Sequence, residues 1–205
     1  MTKFPHPASS MTPALSTGFA MVFWLGPAIS PAIEIQPNVA QVQEALQRGK
    51  QAAEQRIPPD RLYAWFGGDG ELQPRGFVMT KLGGLAVMAT HFHLRSATPT
   101  ESETAQILEG KTLLVSVVIY GDRSTFAIDS YVVLEQGERT IKPVNVRFDG
   151  QAARSSAWPK SPAYRAKVVA SFAYADFDPR AQTKLSVFPS GGGQVTFDLD
   201  FSRIE

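Results

Sequence analysis

Residues 194–202 read Gln-Val-Thr-Phe-Asp-Leu-Asp-Phe-Ser, and their alternation decides the fold. Val195, Phe197, Leu199 and Phe201 lie two apart, with Thr196, Asp198, Asp200 and Ser202 between them. Side chains alternate sides along a strand, so this stretch reads as a strand with one face in a core and the other in water. Similar periods recur upstream. Leu113, Val115, Val117 and Ile119 share one face of 112–120, and Ala166, Val168, Ala170, Phe172 and Tyr174 share one face of 163–175. Phe126, Ile128, Val132 and Leu134 mark 125–134, Val144, Val146 and Phe148 mark 140–148, and Leu185 and Val187 mark a shorter strand. Pro143 makes 140–148 an edge or a bulge, since proline cannot donate to a ladder. Six such strands with polar turns and no long helix between them predict an antiparallel sandwich.

The region before residue 110 reads differently. Asn38, with Gln41 three residues on, caps a helix running to about Arg56, which Pro58-Pro59 ends. Its apolar positions Val39, Val42, Leu46, Gly49 and Ala53 form a narrow small-residue stripe, suited to a sheet or a partner helix. Residues 62–75 read as an aromatic, glycine-rich turn whose Leu62, Trp65 and Phe66 bury against the sheet. Gly83-Gly84 between two apolar runs predicts a hairpin with strands near 77–82 and 85–94, since two glycines inside a helix would cost about 2 kcal/mol. Thr100 and Glu103 form a capping box for a short helix over 100–109. The fold expected is mainly β, an antiparallel immunoglobulin-like β-sandwich over 76–205. An N-terminal helix and the aromatic turn in 33–75 pack on it, and one short helix is inserted.

Residues 1–32 carry Lys3 as their one firm charge, then an apolar block Phe19–Ile29 and the small exit Ser30-Pro31-Ala32. That is the layout of a secretory signal peptide, with an uncleaved anchor over 12–31 as its rival. Either places the protein in the envelope, periplasm or outside the cell. The whole chain has 20 Lys+Arg against 19 Asp+Glu, so it carries no general charge for nucleic acid. It has no cysteine, which excludes disulfides, Cys-ligated zinc, a thiol nucleophile and a lipoprotein anchor.

Two blocks, GFVMTKLGGLAVMATHF (76–92) and PAYRAKVVASFAYADFDP (162–179), resemble a group of uncharacterised exported bacterial proteins with immunoglobulin-type C-terminal halves. The resemblance implies a fold and an envelope location; it implies no activity, cofactor or site residue.

The functional lead is local charge. Residues 139–167 hold Arg139, Lys142, Arg147, Arg154, Lys160, Arg165 and Lys167 against one acid, Asp149. Within them Arg154, Trp158, Lys160, Tyr164 and Arg165 form a basic-aromatic loop, a composition common at recognition surfaces. It predicts a non-catalytic binding or assembly protein contacting another protein or an anionic envelope component, without a cofactor. Two other readings compete. His91 and His93, two apart on a strand, would face one metal ion with Glu101 or Glu103 and make a metal-dependent hydrolase. Retention of 12–31 would make a membrane-anchored accessory subunit. The carboxylate pairs Asp176/Asp178 and Asp198/Asp200 suit calcium or glycoside cleavage in type but lack a supporting pattern. Gly191–Gly193 joins two strands, so a phosphate cradle before a helix is excluded.

Overall fold

The computed structural model describes Met1 and residues 33–204, so the leader or anchor expected in 1–32 lies outside the described residues. The chain enters at Ile33, which is buried in the main core and donates its N–H to Pro179 O at 3.3 Å. Helix α1 (Val39–Glu54) follows, with Asn38 and Gln41 bonding reciprocally as a capping box. A 3-10 turn (Pro59–Leu62) leads into β1 (Ala64–Gly67) and β2 (Arg75–Met79). Helices α2 (Lys81–His93) and α3 (Glu101–Leu108) come next, the latter on its Thr100–Glu103 box.

The sandwich continues with β3 (Thr112–Gly121), β4 (Tyr131–Gln136), β5 (Arg139–Ile141) and β6 (Asn145–Phe148). It ends with β7 (Ala153–Arg154), β8 (Tyr164–Ala173), β9 (Gln182–Phe188) and β10 (Val195–Asp200). One sheet runs β1-β2-β3-β8-β6, with β7 also on β8; the other runs β10-β9-β4-β5. All pairings are antiparallel. The orders β2-β3-β8-β6 and β5-β4-β9-β10 are A-B-E-D and C′-C-F-G of the immunoglobulin sandwich, with β1 added outside strand A. The residues that alternate in the sequence fill the space between the sheets: Leu113, Val115, Val117, Ile119, Val168, Phe172, Leu185, Val187, Phe197 and Leu199.

Besides 140–148, which breaks around Pro143 into β5 and β6 on different sheets, three stretches depart from the sequence reading. Residues 81–93 are a helix, not the second strand of a hairpin. Thr80 Oγ1 caps it by accepting from Gly83 N at 3.0 Å. Both glycines therefore fall in the first turn, where intrahelical bonds are fewest, and neither takes a positive φ. Gly49 of α1 supplies the tertiary reason. A Cβ there would land on the Ala86 carbonyl and within 2.7 Å of Ala89 Cβ, so the two backbones meet closely. Thr90 Oγ1 fastens the crossing by donating to Gly49 O at 3.0 Å. Val42, Ala45 and Leu85, flanked by Leu46, Leu82, Met88, Ile107 and Leu108, make a second small core among the three helices.

The second departure is at 125–130, which forms turns, so β4 begins only at Tyr131; Phe126 and Ala127 are nevertheless buried in the core. The third is the aromatic turn, part of which is strand β1. Phe66 packs on Phe197, ring centres 5.0 Å apart, whereas Trp65 is 46 % exposed and turned away from the core.

Candidate functional site

The basic-aromatic loop is a tightly bonded turn between β7 and β8. Asp122, just past β3, accepts from Ser161 Oγ at 3.0 Å and from Ala163 N at 3.2 Å. Ser155 N donates to Ala163 O at 2.9 Å, and Ser155 Oγ donates to Pro162 O and accepts from Ala157 N at 3.1 Å. Lys160 N donates to Ala157 O at 2.8 Å, closing the turn, with cis peptide bonds before Pro159 and Pro162. From this frame Trp158 stands 43 % exposed, with the Arg154 guanidinium 4.0 Å above its ring centre. A cation over an indole is worth about 0.5–1 kcal/mol at an exposed site and holds both side chains in place.

The five loop residues do not converge. Cross-strand partners point to the same face, and β7 pairs Ala153 with Arg165 and Arg154 with Tyr164. Tyr164 packs half-buried against the core, so Arg165 turns to the opposite, outer side of the sheet. Arg154, Trp158 and the exposed Lys160 stay at the end of the sandwich.

The register then shows what joins Arg165. Tyr120 stands opposite it on β3, and Lys167 stands opposite Val118, which in turn faces Arg75 on β2. The next row across is Trp65, Phe77, Ser116, Val169 and Arg147, one residue from each of β1, β2, β3, β8 and β6. Arg75 lies 5.2 Å from the Trp65 ring centre, and Phe77 meets Trp65 edge-on at 5.4 Å. Ser116 is buried under its flanking neighbours although it faces away from the core. The outer face of this sheet thus carries four cations around an aromatic and aliphatic centre. Arg75, Arg147, Arg165 and Lys167 form no ion pair among the described residues. Of the nearby acids, Asp149 accepts the Lys167 backbone N–H at 2.8 Å, while Asp60 and Asp69 line a cleft beside Arg75 at the edge of the face.

The opposite sheet is different. Its outer face alternates Thr140, Glu135, Lys184 and Asp198 across four strands, with opposite charges side by side. At its end the Asp200 carboxyl is held below the usual carboxylate range, first by the Ser202 hydroxyl and then by the Ser202 N–H and Arg203. Burial opposes this, and a further bond from Gln182 adds to the lowering. Asp200 Oδ2 lies 3.1 Å from Arg203 Nε, so this carboxylate serves as the cap of the last 3-10 turn (Phe201–Arg203).

His91 and His93 require a correction. On α2 they are about 200° apart around the axis, so they face opposite ways, and the shared metal face expected of a strand is lost. His93 lies in the crevice with Gln43, Gln47 and Lys50 of α1, and His91 is exposed. Among the described residues no group of three or more His, Asp or Glu is placed to hold a metal ion.

Sequence reasoning missed Trp65, Arg75, Phe77, Val118 and Val169. The available signal was apolar residues at outward positions: once Val115, Val117, Val168 and Ala170 fill the inner face, Val118 and Val169 have no core to enter.

No protein-family model matches the chain, and no curated protein matches it. Among solved structures, the archaellum periplasmic stator protein FlaG from Sulfolobus acidocaldarius aligns over 43% of this chain and 86% of its own, at 8% identity and a TM-score of 0.31. The archaellum periplasmic stator complex of FlaF and FlaG aligns over 43% and 77%, at 9% identity and a TM-score of 0.27. Superpositions this loose carry no argument, and the sandwich assignment rests on strand order.

Proposed function

We propose that this chain is an exported, non-catalytic binding or assembly protein of the bacterial envelope. It docks an acidic protein surface on the outer face of the β1-β2-β3-β8-β6 sheet. The carrying observation is the register that gathers Arg75, Arg147, Arg165 and Lys167 around Phe77, Val118 and Val169 on that face. Arginine and aromatic side chains at the centre of a patch are what protein interfaces favour, and unpaired cations steer an acidic partner. A protein partner is preferred to a lipid surface because Val118 and Val169 stand on a sheet face ringed by cations, with no apolar helix or loop at its centre to enter a bilayer. Arg154 and Trp158, already ordered, extend the contact at the sandwich end and spare the entropy of fixing them on binding. The exported location rests on the leader pattern and on the resemblance of 76–92 and 162–179.

The test is the native size of the full chain extracted from the cells that make it. Wild type is expected to migrate within a larger complex, and Arg147→Glu/Lys167→Glu as free protein. Lys184→Glu on the opposite sheet should leave the complex intact. Unchanged migration of the double variant would refute the assignment of this face.

A further inference from the structure

The 3-10 turn and the β1–β2 hairpin enclose a cleft of about 450 Å³ at the edge of the sheet. Its lining is Asp60, Arg61, Trp65, Phe66, Gly67, Gly68, Asp69 and Arg75, of which the four charged side chains are exposed. The volume falls in the range of small-ligand sites, about 300–1,000 Å³. We propose that this cleft binds a neutral saccharide, with Trp65 as the platform for the sugar ring.

Trp65 is fixed before any ligand arrives. Its Nε1–H donates to Asp60 O at 2.8 Å, and its ring is backed by Tyr63 and Phe77, which stack at 4.3 Å. The indole N–H is therefore occupied, and what the side chain offers outward is ring surface. That surface suits the C–H face of a pyranose, which is apolar and mildly positive against the negative ring face. Around it the charges cancel: two carboxylates and two guanidiniums select neither an anion nor a cation. Asp60, Arg61 and Asp69 form no ion pair and no side-chain hydrogen bond with another described residue. Acceptors and donors thus stand side by side with open capacity. Vicinal hydroxyls, each of which donates and accepts, are the groups that use both at once. A purely apolar ligand would leave those charges buried and unmatched, which disfavours it. Arg75 spans the ring and the rim, so it can keep its indole contact while donating to a hydroxyl.

The experiment titrates the full chain with four neutral probes: cellotetraose, chitotetraose, maltotetraose and mannotetraose. Binding is read by calorimetry and by the indole N–H resonances of the tryptophans. At least one probe is expected to bind saturably at concentrations up to about 10 mM, shifting the Trp65 indole signal and leaving that of Trp158 in place. Trp65→Ala should weaken that binding at least about tenfold, and Arg61→Gln/Asp69→Asn, a change at two exposed side chains, at least about threefold. Failure of all four probes would overturn the proposal, as would binding that survives in the Arg61→Gln/Asp69→Asn variant. Neither result bears on the cationic face, whose own variants leave this cleft intact.

Discussion

Tyr174 follows β8 at the junction of the sandwich with the helical layer, with Lys81 Nζ 5.4 Å from its ring centre and Phe177 beside it. Burial pushes its phenol from the ordinary value of 10.0 up to about 12. The fold therefore favours the neutral form, and the unfolded chain ionises first. This contribution to stability is whole below about pH 10 and is lost as pH rises toward 12. Alkaline unfolding of wild type should steepen over that window, and Tyr174→Phe should flatten it. Identical profiles for the two proteins would show that Tyr174 ionises alike in both states. At the helix crossing, Gly49→Ala should destabilise by about 1–3 kcal/mol, measured by urea unfolding, because its Cβ meets a backbone carbonyl that cannot rotate away. Gly49 was legible as one member of a small-residue stripe. Its contact with Ala86 was not, since the sequence did not show that 81–93 is a helix.

At the scale of elements, α2 separates what pattern reveals from what it hides. Capping boxes are local chemistry, so Asn38–Gln41 and Thr100–Glu103 predicted α1 and α3 to within two residues at either end. The long strands β3, β8 and β10 have one face against the core, and period two located them. Helix α2 is covered by α1, α3 and the 3-10 turn, and has buried or half-buried residues nearly all round. Such a helix shows no amphipathic period, and its glycines then pass for a turn. The two readings differ in a measurable way. Gly84 has only Ile107 Cγ2 near its missing Cβ, at 3.6 Å, so Gly84→Ala should stabilise the protein by about 0.5–1 kcal/mol. A lowered thermal midpoint in that variant would speak for a turn at residue 84.

For the whole molecule, the alternating core residues made the sandwich legible, and the strand order places it in the immunoglobulin arrangement. The candidate face was less legible because it is assembled from five strands that are distant in sequence. Arg75 and Lys167 share it only through β3, and no linear window contains both. The sequence window 139–167 did mark the charge, but folding divides it. Arg147, Arg165 and Lys167 go to the outer face, Arg154 and Lys160 to the sandwich end, and Tyr164 into the core. What remains is a sheet whose solvent side is cationic and partly apolar, opposite one whose solvent side is charge-balanced. Association through the cationic side should slow as ionic strength rises, because exposed charges are screened within about 8 Å at physiological salt. The most direct measurement is photo-crosslinking in the producing cells from a reactive residue at position 169, the centre of the face. A discrete protein adduct that disappears in Arg147→Glu/Lys167→Glu and persists in Lys184→Glu is the result predicted. No adduct, a lipid adduct, or one indifferent to Arg147 and Lys167 would contradict it.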